Sequence, residues 1–226
     1  MREPKIFIIG DPHFWHKNII NYCNRPFATI EEMNETLIEN WNNVVGKQDI
    51  VYVLGDFALC GKDRIIEITQ KLNGRKRLIL GNHDGASLET YRNAGFEYVY
   101  NHSIILDEFY ILSHYPQTYI QKNGLYANIY AHVHDDPAHK DVSSRTFCSS
   151  VERETMKYAP IEFEFVKYLN GKKISELNPL FEELEKYDVK ITRLSYGIPM
   201  GVEIDYLDSI TLDITTLSPI SKYTLA

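Results

Sequence analysis

No apolar run in this 226-residue sequence approaches the roughly 20 residues needed to cross a bilayer. The first such run, Ile6 to Ile9, follows Arg2 and Lys5 but is stopped at once by Gly10 and Asp11, well short of a signal-peptide core. Cysteine is scarce: Cys23, Cys60 and Cys148 form no CxxC pair and leave an odd count, which argues for reduced thiols rather than a disulfide framework. No Pro, Gly or Ser tract marks disorder. Nor is there a block of Lys or Arg, and the net charge is -7, so no long electrostatic track for nucleic acid is visible. These absences point to a folded, soluble, cytoplasmic protein.

What is present is enough for a core: 44% of the residues are hydrophobic and 16 are tyrosines. The length suits one generous domain, or one of about 160 residues with an appendage. Lys5 to Gly10, Asp49 to Leu54, Arg77 to Leu80, Phe109 to Ser113 and Asn128 to Ala131 are nearly continuous apolar runs, the pattern of strands covered on both faces. Helical segments separate the first three. Thr29 and Glu32 make a capping box before Met33, Leu37, Ile38, Trp41, Val44 and Val45, which share a helical face. A second helix covers Lys62 to Leu72, and a third runs from Ser87 to Ala94 and closes at Gly95. Such alternation predicts an α/β fold with ligands at the carboxyl ends of the strands. Tyr98 to Leu106 and Phe109 to Ser113 follow each other closely and predict a second, hairpin-rich sheet packed on the first, giving a two-sheet core flanked by helices.

Each of the five runs ends in a polar cluster: Asp11-Pro12-His13, Gly55-Asp56, Gly81-Asn82-His83-Asp84, Ser113-His114 and Ala131-His132-Val133-His134. So many metal-seeking groups at one sheet edge are too many for one ion and about right for two. Asp11 and His13 alternate, so an extended segment points both the same way, and His132 and His134 repeat that spacing. Asp56 offers a carboxylate able to bridge two ions. Asn82 is a neutral ligand, His83 can move a proton near neutral pH, and Asp84 can orient that imidazole. Taken singly, each cluster has an ordinary reading: Asp-Pro opens turns, Asp56 can cap a helix, and a histidine pair can lie exposed. Their order along the chain is what argues for a joint site.

In that order the clusters resemble the calcineurin-like metallophosphoesterase superfamily, whose pattern is Asp-x-His, Gly-Asp, Gly-Asn-His-(Asp/Glu), a lone His, then Gly-His-x-His. The likeness spans Ile6 to about Ile161 and departs only at Ala131, where the family usually has Gly. His13-Phe14-Trp15-His16 with Arg25-Pro26-Phe27 is similar to small bacterial and phage members, which usually carry Gly in place of Trp15. The resemblance implies a four-layer α/β/β/α fold. It also implies two divalent ions, with Mn, Fe, Ni, Co and Zn all suited to the donors. Asp11, His13, Asp56 and His134 would hold one; Asp56, Asn82, His114 and His132 would hold the other. A hydroxide shared between them would attack phosphorus in line, and His83, steered by Asp84, would protonate the leaving group. His16 and Arg25 are candidate phosphate contacts, and Trp15 is a candidate to narrow the pocket.

The expected domain covers residues 1–167. Residues 168–226 read as a C-terminal extension: a helix opening at Asn178-Pro179, then strands with alternation at Val202, Ile204 and Tyr206 and at Ile210, Leu212 and Ile214. Its expected role is an added layer or a homo-oligomer contact. The expected activity is hydrolysis of a small nucleotide or other small phosphoester. The alternatives are a nuclease acting on nucleic acid, and a non-catalytic metal-binding scaffold using the C-terminal strands.

Overall fold

The computed structural model describes residues 2–118 and 126–177. The chain runs β1 (Ile6–Ile9), α1 (Ile19–Tyr22), α2 (Ile30–Val44), β2 (Ile50–Val53), α3 (Lys62–Lys71), β3 (Arg75–Ile79), α4 (Leu88–Ala94) and β4 (Phe96–Tyr100). It continues through β5 (Ile104–Leu106), β6 (Tyr110–Leu112), β7 (Ala127–Tyr130), β8 (Thr146–Cys148), β9 (Ile161–Glu162) and α5 (Phe163–Leu177). One sheet has the order β4-β3-β2-β1-β9 and the other β5-β6-β7-β8. Both are mixed: β9 runs antiparallel to β1, and β5 antiparallel to β6, while the remaining pairs are parallel. This is the expected two-sheet core with flanking helices. Ile8, Val51, Val53 and Leu78 of the first sheet and Leu112, Ile129 and Phe147 of the second are fully buried.

Local chemistry explains the helix bounds. Thr29 caps α2 by accepting from the Glu32 N–H at 3.1 Å, while the Glu32 carboxylate accepts from the Ala28 N–H at 2.7 Å, one residue earlier than the usual reciprocal bond. Met33, Leu37 and Trp41 bury the predicted face, but Val44 lies outside it because the helix ends there and the chain turns away. Gly95 closes α4 at φ 109, the left-handed conformation in which a side chain is disfavoured.

Two expectations are corrected. Tyr98 to Leu106 is not one strand of the second sheet: β4 pairs parallel with β3, and only after the polar bend at Asn101-His102-Ser103 does β5 join β6. Strand β3 also starts earlier than the run expected from Arg77, taking in Arg75 and Lys76. The Lys76 ammonium is buried, donating to the Leu72 carbonyl at 2.7 Å and the Gly74 carbonyl at 2.9 Å, and burial lowers its pKa. Helix α1 and strands β8 and β9, which the sequence does not mark, carry too few residues to show a period. Helix α5 runs through position 168, where the extension was drawn; the remaining extension, from residue 178, lies outside the described residues. Among the described residues no helix is long and apolar enough to cross a membrane.

Candidate metal centre

Five of the seven predicted ligands sit just past strand ends in the left-handed region: Asp11 at φ 52, His13 at φ 51, Asp56 at φ 51, His132 at φ 72 and His134 at φ 47. Each such residue costs on the order of 1–3 kcal/mol and persists only where its surroundings hold it. Asp11 and His13 therefore converge through two alternate left-handed residues and not through the pleat of an extended segment, as the spacing had suggested. Their backbone is fastened to the next strand end: the Asp11 N–H donates to the Gly55 carbonyl at 3.2 Å and the His13 N–H to the Asp56 carbonyl at 2.9 Å. The His132 N–H donates to Asp11 Oδ2 at 2.7 Å, which ties in the second sheet.

The side chains gather in two groups. Ligand atoms of Asp11, His13 and His134 lie within 4.8 Å of one another, and so do those of Asp56, His114 and His132. Asp56 Oδ2 stands between the groups, 3.4 Å from His13 Nε2 and 3.6 Å from His114 Nε2. Asn82 Oδ1 is 2.9 Å from His114 Nε2, so Asn82 joins the second group. Close packing leaves little room around the strand ends. A methyl at Gly81 would collide with the Asp56 carboxylate, and one at Gly10 would lie 2.5 Å from the Ala131 methyl. Ala131 is thus tolerated in this chain because position 10 has no side chain.

The donor set fits a cation. Asp11 Oδ1 and His13 Nε2 are buried and have no hydrogen-bond partner among the described residues. An orphaned carboxylate oxygen beside an orphaned imidazole nitrogen would be costly unless a third group completed them. Burial raises the Asp11 carboxyl to about 6, against the pull of His134 and His114. Burial, with the charges of His134 and Arg25, holds His13 well below the ordinary imidazole range, leaving it neutral as a ligand must be. His134 goes the other way: burial opposes its charge, but hydrogen bonds to Cys23 and Glu152 and the Asp11 and Glu152 carboxylates push it up to about 11.

Asp84 does not steer His83. Its Oδ2 accepts from the Asp56 and Gly81 N–H groups, both at 2.8 Å, and its Oδ1 accepts from the Phe57 N–H at 2.9 Å and the Tyr91 hydroxyl at 3.2 Å. The carboxylate is buried under the two turns that carry Asp56 and Asn82, with its acceptor capacity taken up by them. His83 is exposed, its ring 5.3 Å from that of His13 and 5.7 Å from that of His16. Asp84→Ala is therefore expected to act on the fold. It strands three N–H groups, two of them buried, at about 1–3 kcal/mol for each buried one, so the melting temperature should fall by well over the shift of an ordinary surface variant.

Arg25 is not a substrate contact either. Its guanidinium is buried, donating to Glu152 Oε1 at 2.8 and 2.5 Å, to the Pro12 carbonyl at 2.8 Å and to the Asp11 carbonyl at 2.7 Å. It pins the loop that carries Asp11 and His13. Glu152, which the sequence reading missed, also lies 3.0 Å from His134 Nδ1, the kind of carboxylate that fixes the orientation of a ligating imidazole. Ser150 was missed as well; its hydroxyl donates to Asp11 Oδ2 at 2.6 Å. Neither residue follows a strand-end motif, so no spacing marked it. His16 is where a contact would need it, its Nδ1 3.1 Å from His13 Nδ1 on the wall of a cavity of about 580 Å³. Trp15 does not line that cavity; its ring lies under the Arg64 guanidinium at 4.0 Å, and its φ of 61 is the left-handed conformation that favours glycine.

Fold and site together define a protein that gathers imidazoles and carboxylates at the strand ends of a two-sheet α/β core, in groups fit for divalent metal. The family model for calcineurin-like phosphoesterases matches residues 4–148, and the chain belongs to that family. It is 35% identical to an uncharacterized protein of Methanocaldococcus jannaschii over 80% of this chain and 100% of that one. A crystal structure of a protein of unknown function from Aquifex aeolicus matches with a TM-score of 0.58 at 27% identity, covering 74% of this chain and all of that one. The gene 66 protein of Mycobacterium phage L5 is 40% identical over 34% of this chain and 38% of its own length. A second family model, for the C-terminal part of RecR, matches residues 197–213. Recombination protein RecR of Mesorhizobium japonicum is 52% identical over 33 residues, 15% of this chain and 16% of that protein. The alternation around Val202 to Tyr206 was visible in the sequence; this likeness was not seen there.

Proposed function

We propose that this protein hydrolyses a phosphoester with two divalent metal ions, one held by Asp11, His13, Asp56 and His134 and the other by Asp56, Asn82, His114 and His132. The observation that carries this reading is Asp56 Oδ2 standing within 3.6 Å of imidazole nitrogens from both groups, beside the orphaned Asp11 Oδ1 and His13 Nε2. When bound, the ions would lower the pKa of water and neutralise charge on the phosphoryl oxygens. The protein's own part is to hold the ligands rigid through Arg25, Glu152, Ser150 and Asp84. His83, exposed beside the first group, holds a proton for the departing oxygen, and His16 offers a donor to a phosphoryl oxygen.

A small phosphoester is the favoured substrate, since no basic tract accompanies the site. One observation supports nucleic acid as a second reading: residues 197–213 are similar to a recombination protein. The test is hydrolysis of a chromogenic phosphomonoester and a chromogenic phosphodiester with added Mn²⁺, with and without strong chelation. Turnover that survives complete removal of metal, verified by elemental analysis, would sink the reading. His83→Ala should lower kcat about 10²- to 10⁴-fold and leave the melting temperature nearly unchanged, the opposite of Asp84→Ala.

Metal affinity should depend on pH in a defined way. His134, pushed up to about 11, carries a proton at neutral pH that the first ion must displace, whereas Asp11, raised to about 6, is mostly ionised there. Affinity for that ion should rise roughly tenfold per pH unit between about 7 and 9, one proton being released. Below about 6, protonated Asp11 adds a second proton and the slope steepens toward two. Calorimetry in buffers of different ionisation enthalpy measures the protons released.

A further inference from the structure

Two exposed tyrosines flank the two ligand groups, and the core requires neither. Tyr22, at the end of α1, is 71% exposed, and its ring stands edge-on to His16 at 6.3 Å; His16 in turn lies 5.0 Å from His13 of the first group. Tyr115 is 48% exposed, with its ring 4.4 Å from His132 and 4.9 Å from His114, both of the second group. The rings thus run in the order Tyr22, His16, His13, then across Asp56 to His114, His132 and Tyr115. Two other exposed tyrosines differ: Tyr98 stacks on Tyr100 and Tyr168 on Phe165, each with a neighbour on its own element.

Both positions are held. The Tyr22 N–H donates to the Asn18 carbonyl at 3.0 Å. The Tyr115 carbonyl accepts from the Ser113 hydroxyl at 2.7 Å, and Asn128 Nδ2 donates to that same hydroxyl at 2.9 Å. With its backbone held, a tyrosine ring has only two side-chain torsions left to order when a planar ligand stacks on it. Beside Tyr22 the cavity of about 580 Å³ has an apolar wall of Ile19 and Val133 and a rim carrying Asp135 and Asp136. Those carboxylates suit the amino edge of a base and repel a second phosphate.

We infer that the substrate is a phosphodiester with a nucleobase on each side of the phosphorus, Tyr22 stacking a terminal nucleoside and Tyr115 the base across the scissile phosphate. This rests on the phosphoester reading above and, within it, takes nucleic acid over a small phosphoester, because the two tyrosine faces are an observation at the site itself; the substrate is then a diester at the end of a single strand. Bases stack on aromatic side chains whatever their sequence, so the two platforms confer strand binding without base choice.

The test uses the full chain loaded with Mn²⁺ and calorimetric affinities for three ligands: a deoxycytidine dinucleotide with a phosphorothioate link, deoxycytidine monophosphate and inorganic phosphate. The dinucleotide should bind about tenfold tighter than the mononucleotide, and the mononucleotide about tenfold tighter than phosphate. Tyr22→Ala and Tyr115→Ala should each weaken dinucleotide binding about tenfold, the double variant should approach the affinity for phosphate, and Phe at either position should preserve binding. Equal affinity for all three ligands overturns the inference, as does an equal loss for dinucleotide and phosphate, which would mean that the rings only prop up the metal site. If the metal-loaded chain does not bind phosphate at all, the hydrolase reading falls and takes the two platforms with it; if phosphate binds and the bases add nothing, the platforms alone fall.

Discussion

Asp56→Asn should abolish turnover, by about 10³-fold or more, while leaving a folded protein that binds fewer metal ions per chain. The asymmetry follows from the two oxygens of one carboxylate. Oδ1 accepts from the His83 N–H at 2.8 Å, a bond that an amide oxygen keeps. Oδ2 faces His13 and His114, and in the variant either a neutral oxygen or an amide NH₂ stands where both ligand groups meet. Metal content by elemental analysis, unfolding by circular dichroism and rates on the chromogenic phosphodiester would be measured on the same sample. Full activity with two ions bound would remove Asp56 from the centre of the mechanism.

A large effect on stability should also come from Arg25, a residue that touches no metal. Arg25→Ala leaves Glu152 buried and without its guanidinium, a situation that costs about 3–5 kcal/mol. In a domain of this size that corresponds to a fall of roughly 6–20 °C in melting temperature. Arg25→Lys should not rescue it, because one ammonium cannot reach the Asp11 and Pro12 carbonyls and Glu152 together. Arg25→Met combined with Glu152→Gln should recover part of the loss by removing both charges. A melting temperature within 2 °C of the parent for Arg25→Ala, the shift of a typical surface variant, would contradict the buried ion pair.

The candidate ligands were legible because each follows an apolar run that can be recognised without its neighbours. Asp11, Asp56, Asn82, His114 and His134 could be found by reading one segment at a time. The supports could not. Arg25 and Glu152 meet across 127 positions, and a guanidinium in a sequence looks the same whether it faces solvent or a buried carboxylate. Asp84 shows a further limit: a carboxylate beside a histidine in sequence suggests a partner, yet backbone N–H groups from the two neighbouring turns compete for it and win. The split of Tyr98 to Leu106 between sheets was hidden for a related reason, since strand pairing depends on which neighbour is near in space.

Asp11 and Ser150 are 139 positions apart, which has a consequence for the order of events on the ribosome. At about 5–20 residues per second, Asp11 is exposed on the order of ten seconds before the hydroxyl that anchors it is made. All seven proposed ligands precede Cys148, where the family match also ends. A nascent chain cut there would carry a full set of metal-binding side chains and neither Ser150 nor Glu152 to fasten them. The proposed site would therefore be complete only once two residues that bind no metal have been made.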